Sequence, residues 1–245
     1  MKSLDNTPAL ETIYARILRL ELKHITLCSS NRRSGNSTIA LALAKRAAQS
    51  GKRVLLIELN VYSPCIHQWL NLDRTEWLPL TGHWEHAAQP THQPGLLFLP
   101  SPEKSSHCVE FRDQETLKLF FESCEQRFDL IICDSAPLLM NSCEFDDALN
   151  FTKDVIPIDT LCAASKATLL TVITGRTTET QVNDCREILK QSGAFLVGVI
   201  MNDQFAPDLK QELIRETRRL DRLFPNWMEK VRQGLSRMIL LNQEL

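Results

Sequence analysis

The residues with the clearest chemical potential run Ser29-Ser30-Asn31-Arg32-Arg33-Ser34-Gly35-Asn36-Ser37-Thr38. They follow a short apolar run at 25–28 and lead straight into an Ala- and Leu-rich stretch at 37–50. A strand, a loop carrying Gly-x-Ser-Thr and then a helix is an arrangement that binds phosphate. Backbone N–H groups of the loop and the positive end of the helix both face the anion. The full pattern is G-x-x-x-x-G-K-[ST]. In this chain Ser30 stands at the first glycine, Gly35 at the second, Asn36 at the lysine and Ser37 at the hydroxyl that binds Mg²⁺. The lysine supplies charge to the β- and γ-phosphates. A shorter, neutral Asn36 forfeits a few kcal/mol of that stabilisation, on the order of 10²- to 10⁴-fold in rate. Arg32 and Arg33 can restore charge, although they occupy positions where a small residue would let the backbone close on phosphate. The candidate nucleotide contacts are therefore Arg33, Ser34, Gly35, Asn36, Ser37 and Thr38, with ATP or ADP and Mg²⁺ as the cofactor.

The elements that must present this loop are legible as apolar runs at 25–28, 54–59, 96–99, 130–133, 169–173 and 196–201. None alternates apolar with polar residues, so each fits a strand covered on both faces. Between them, 37–50, 114–126 and 179–191 carry helical spacing. Strand, helix, strand in repetition predicts an α/β fold with a doubly wound, mostly parallel sheet. Only eight glycines among 245 residues disfavour an all-β sandwich. Residues 77–108 hold five of the 11 prolines and four of the six histidines, which predicts irregular surface loop. His83, His86, His92 and His107 lack the fixed spacing of metal ligands and read as solvated loop histidines. After Asp203 two helices are expected over 207–241, split at Pro225. This divides the chain into an α/β domain at 1–205 and a helical extension at 206–245. Trp227, Val231, Leu235 and Met238 share one helical face, a pattern suited to packing on the domain or to contact with a partner or a membrane surface.

With 28 Lys and Arg against 30 Asp and Glu, the net charge is −2. That excludes a generic nucleic-acid-coating protein, which would carry a basic stripe. The eight cysteines show no two-residue spacing of a zinc or redox motif and read as small buried hydrophobes in a reducing compartment. The first 20 residues contain no signal-like apolar core, so a cytoplasmic location is expected.

Further motifs carry a family resemblance. Val54-Leu55-Leu56-Ile57-Glu58-Leu59-Asn60-Val61-Tyr62-Ser63-Pro64 resembles the second strand of the MinD/ParA-type P-loop NTPases. It is most similar to that of the cytoplasmic bacterial tyrosine autokinases of capsule and exopolysaccharide export. Phe128-Asp129-Leu130-Ile131-Ile132-Cys133-Asp134-Ser135-Ala136-Pro137 resembles their Walker B strand. Leu99-Pro100-Ser101, Thr174-Gly175-Arg176-Thr177-Thr178 and Val199-Ile200-Met201-Asn202 match later turns and strands in order. Arg16 and Arg19 match part of an oligomerisation helix, with Ile13 at its Glu position.

The resemblance implies that Asp134 orders Mg²⁺ through water and that Ser37 binds it directly. It also implies that Glu58 and Asn60 occupy two catalytic aspartate positions, and that Asn202 contacts adenine. With asparagine at 36 and 60, and only Tyr14 and Tyr62 as tyrosines, autophosphorylation of a tyrosine tail is not expected. Glu58 and Asp134 remain the residual catalytic candidates. The expectation is a catalytically impaired P-loop protein with a regulatory or scaffolding role beside an inner-membrane polysaccharide-assembly component. Homo-oligomerisation and peripheral membrane contact through 226–241 belong to the same reading. The alternative is a diverged ATPase whose ATP-dependent dimer positions a membrane-associated machine.

Overall fold

The computed structural model describes residues 7–104, 108–139 and 156–204. The predicted extension at 206–245, its 226–241 face and His107 lie outside them. The described residues belong almost entirely to one unit, Met1–Asn202.

Seven strands form one sheet: β1 (His24–Ser29), β2 (Val54–Glu58), β3 (Gln89–Pro90), β4 (Leu96–Leu99), β5 (Leu130–Pro137), β6 (Thr168–Ile173) and β7 (Leu196–Asn202). Their order is β3-β4-β2-β5-β1-β6-β7. All neighbours are parallel except the two-residue β3, which pairs antiparallel with β4 at the edge. Helices α1 (Pro8–Arg19), α2 (Asn36–Gln49), α5 (Gln114–Glu125), α6 (Ile158–Ala164) and α7 (Glu179–Ser192) cover the sheet, with short helices α3 (Ile66–Leu70) and α4 (Trp84–Ala87) between strands. After β1 the chain moves past β5 to β2, whereas β6 lies on β1's other side. Such a reversal opens a crevice at the strands' carboxyl ends, where α/β folds hold their ligands.

Each apolar run serves both faces of the sheet because successive side chains point to opposite sides. Ile25, Leu27, Leu56 and Ile132 pack under α2, whose alanines at 40, 42, 44, 47 and 48 keep its backbone close to the sheet. Leu55, Ile57, Ile131 and Cys133 pack under α5 with Phe120 and Phe121. Both α5 and α7 begin with side-chain caps. Asp113 accepts from the N–H of Thr116 at 2.8 Å, and Thr178 forms a reciprocal box with Gln181. Helix α1 is held to α2 by the Glu11–Arg46 ion pair, by Arg46 lying 4.8 Å from the Tyr14 ring, and by a 2.5 Å bond between the Tyr14 and Ser50 hydroxyls.

The structure corrects the sequence reading in two places. β7 is not covered on both faces: Val199 and Met201 are exposed, as an edge strand permits. Nor is 77–108 merely surface loop. Trp77 and Trp84 are buried against Phe111 and Phe120, and the Trp77 indole N–H donates to the Pro100 carbonyl at 2.7 Å. Prolines and histidines mark the turns of this segment, but its tryptophans complete the α5-side core. The His83 and His86 rings sit 6.0 Å apart, and among the described residues no group of three metal-ligating side chains gathers. No helix among them is long and apolar enough to cross a membrane.

Truncating Trp77 leaves a large cavity and an unpaired carbonyl. Trp77→Ala should lower unfolding free energy by about 3–5 kcal/mol in denaturant titration, against roughly 0.5 kcal/mol for Trp69→Ala at an exposed position.

Candidate functional site

The loop between β1 and α2 takes its shape from two left-handed residues, Arg33 at φ 59° and Gly35 at φ 80°. Glycine adopts this conformation without strain, whereas for arginine it costs on the order of 1 kcal/mol. Gly35 is the N-cap of α2 and provides no side-chain cap, and the first turn holds no acidic residue. Among the described residues, no carbonyl or side chain accepts from the N–H groups of residues 33–38. A row of unpaired donors at a helix N-terminus attracts anions. The loop's side chains mostly turn away from this row. Ser34 is buried and donates to the Asn31 carbonyl at 2.6 Å. Ser30 is buried and lies 3.3 Å from the Thr177 hydroxyl, so serine in place of the first glycine is tied to the β6–α7 turn. Arg32 and Arg33 are exposed, and Thr38 is half-buried in the first turn of α2.

Asn36 does not take the direction of a phosphate-binding lysine. Its side chain is buried, and its amide nitrogen donates to the Leu27 carbonyl at 2.9 Å, to Asp134 Oδ1 at 2.8 Å and to the Ser135 carbonyl at 3.3 Å. Its amide oxygen accepts from the Thr171 hydroxyl at 3.0 Å. The two backbone carbonyls can only accept, so the amide's orientation follows from the network. Asn36 thus ties β1, β5 and β6 together beneath the loop. A short amide satisfied by three acceptors has no side-chain donor left for a ligand, so of this residue only the backbone N–H can face an anion.

Asp134 lies at the centre of this arrangement and is fully buried. The β1–β5 register pairs Leu27 with Asp134 and then Ser29 with Pro137, so β5 carries an extra residue at this point. Such an irregularity re-aims side chains at a strand's end. Asp134 Oδ1 receives Asn36, while Oδ2 has no hydrogen-bond partner. Burial is the largest cause that raises its pKa, to about 7, and the Glu58 carboxylate on the adjacent strand raises it further. Ser37 and Asn36 act in the opposite direction. The Ser37 hydroxyl is near enough to favour the charged form without aligning on Oδ2. A buried carboxylate oxygen with no partner, beside a hydroxyl at a helix N-terminus, fits the donor set of a Mg²⁺ site, with Ser37 and Asp134 as its holders.

The remaining candidates are occupied. Glu58 Oε1 accepts from the N–H groups of Cys65 and Ile66, each at 2.7 Å, and its Oε2 lies 3.2 Å from His67 Nδ1. It is fully buried and caps α3. Asn60 accepts from the Ser63 N–H at 3.3 Å and shapes a turn. Asn202 donates to the Ser34 carbonyl at 2.9 Å, linking β7 to the loop. The sequence reading gave no role to Thr171 or His67, and quoted Ser135 and Thr177 only as parts of motifs. Thr171 and Ser135 lie within β6 and β5, Thr177 lies between β6 and α7, and His67 lies in α3, so they share no sequence signal.

The raised pKa of Asp134 makes stability pH-dependent. Between about pH 4 and 7 the folded chain holds a proton that the unfolded chain has released, so stability falls as pH rises through that window. Asp134→Asn should remove this slope and raise stability at pH 8 by roughly 1–3 kcal/mol, with little change at pH 4, in denaturant titrations at both pH values.

No protein-family model matches the chain. It is 27% identical over 187 residues to the tyrosine-protein kinase YwqD of Bacillus subtilis (strain 168), covering 74% of this chain and 73% of that protein. Among solved structures, the chimerical protein CapA2B2 matches with a TM-score of 0.65 at 20% identity, covering 80% of this chain and 85% of that one. The septum site-determining protein MinD of Pyrococcus horikoshii OT3, complexed with Mg-ADP, matches with a TM-score of 0.59 at 16% identity, covering 76% and 72%. In fold the chain is similar to the MinD/ParA-like P-loop NTPases, and over about three quarters of its length its sequence is similar to bacterial tyrosine kinases.

Proposed function

We propose that this chain binds a nucleoside di- or triphosphate through the backbone of residues 33–38 but transfers its phosphoryl group poorly, and that it acts as a regulatory or scaffolding partner. The observation that carries this reading is the inward-turned Asn36, which leaves no side-chain cation from the helix over the phosphates. The unpaired N–H groups supply the anion contacts, and Ser37 and Asp134 are the holders of Mg²⁺, which would neutralise charge on the β- and γ-phosphates. Glu58 and Asn60 do not activate a nucleophile, because one caps α3 and the other shapes a turn. Arg32 and Arg33, both exposed on the loop, are the candidate replacements for that charge.

The setting follows from the relatives, which are bacterial tyrosine kinases. By its resemblance to autokinases of capsule and exopolysaccharide export, the partner is an inner-membrane polysaccharide-assembly component. An ATPase that acts through a nucleotide-dependent dimer is favoured only if Arg33 restores turnover, since the MinD relative was solved with Mg-ADP.

Calorimetric titration with Mg·ADP and Mg·ATP should give binding in the micromolar to millimolar range, with hydrolysis at least about 10²-fold below an intact lysine-bearing site. Heat with neither nucleotide at millimolar concentration defeats the binding half of the proposal, and turnover of 1 s⁻¹ or more, roughly the low end of typical enzymes, defeats the impairment half. Arg33→Gly separates shape from charge. It should relieve the left-handed strain and raise stability by up to about 1 kcal/mol, while weakening Mg·ATP binding by roughly tenfold. Asn36→Lys should tighten ATP binding by tenfold or more yet lower stability of the free protein by about 1–3 kcal/mol, because the Asp134, Leu27 and Thr171 partners lose their bonds.

A further inference from the structure

A backbone N–H can serve an anion only if its peptide is turned the right way, and in this loop one such peptide is held from outside. In a trans peptide the carbonyl and the N–H point in opposite directions, and no cis bond occurs among the described residues. The Ser34 carbonyl accepts from the Asn202 side-chain amide at 2.9 Å. With that carbonyl turned to Asn202, the Gly35 N–H points the other way, and it has no acceptor among the described residues. The loop does not enforce this orientation itself. Residue 35 is glycine at φ 80°, and glycine takes either sign of φ, so the peptide is free to rotate and present its carbonyl instead. The Ser34 hydroxyl, bonded to the Asn31 carbonyl at 2.6 Å, holds the residue before this peptide but not the peptide.

Asn202 is well placed to decide between the two orientations. It is the last residue of β7, paired with Ile173 of β6, and its own carbonyl accepts from the Thr174 N–H at 3.0 Å. Its amide therefore acts from the sheet and not from another loop. Two further side-chain bonds join β6 and its following turn to the loop, Thr171 to Asn36 and Thr177 to Ser30, but both end on side chains and neither sets a peptide plane.

We propose that Asn202 is a positioning residue of the anion site, which holds the Ser34–Gly35 peptide with its N–H available to phosphate and so acts on the phosphate part of a ligand and not on its base. The inference rests on the reading above that the backbone of residues 33–38 binds phosphate. A rotated peptide would remove one donor from the row and put a carbonyl dipole against the anion. Since the lever is the peptide, a bare diphosphate gains from it as much as a nucleotide does.

The test titrates the full chain calorimetrically with Mg·pyrophosphate and with Mg·ADP, in wild type, in Asn202→Ala and in the volume-matched Asn202→Leu. Both variants should weaken the two ligands by the same factor, about tenfold, as for the loss of one hydrogen bond to a charged group. In wild type, pyrophosphate should move the Gly35 amide proton downfield in NMR spectra, and in the variants it should not. A loss confined to ADP overturns the proposal, because Asn202 is then a contact to the rest of the nucleotide. Unchanged affinity for both ligands overturns it as well. The free protein keeps the two readings apart. Without ligand, both variants should displace the Ser34 carbonyl carbon resonance upfield, as its hydrogen bond is lost, and an unmoved resonance overturns the positioning role. Absence of heat with both ligands in wild type defeats nucleotide binding, and the Ser34 resonance then decides by itself whether Asn202 holds the peptide.

Discussion

The buried carboxylate of Asp134 is the constraint around which the centre of this protein is organised. A charged group at the carboxyl end of an interior strand is costly unless it is bonded or neutralised. Here it is half-satisfied. Asn36 supplies one strong bond, the Ser37 hydroxyl stands close, and the second oxygen has no partner. Burial and the parallel Glu58 carboxylate raise its pKa to about 7, so near neutrality the site is balanced between a protonated acid and an anion that a cation would stabilise.

The same constraint explains how a neutral side chain at position 36 fits beneath an ordered loop. Asn36 goes inward, where its amide bonds three strands beneath the helix. The side chain there is a strut for the protein itself. Glu58 is likewise turned to the protein's own use and caps a short helix through two 2.7 Å bonds. Both arrangements leave the loop's backbone donors unpaired.

Farther from the centre, stability comes from ordinary packing. The α5 side is an aromatic cluster of Trp77, Trp84, Phe111 and Phe120, and the α2 side is a close Ala-rich helix tied to α1 by Arg46. The two sides hold opposite faces of the same strands, so the sheet that carries Asp134 is rigid on both. A rigid sheet lets a one-residue irregularity in β5 set the direction of a catalytic-type carboxylate.

The sequence by itself determined the fold class, the strand positions to within a few residues, and the location of the loop, because apolar runs of one strand length and a Gly-x-Ser-Thr start to a helix depend on neighbours along the chain. It could also report that residues 36 and 60 carry no charge. Only the tertiary structure decided what those side chains do instead. Asn36 meets Asp134 across 98 positions and Thr171 across 135, and a bond at that separation leaves no local pattern. The burial of Trp77 in a proline-rich segment and the exposure of β7 were hidden for the same reason: both depend on which strand lies at an edge and which helix lies above.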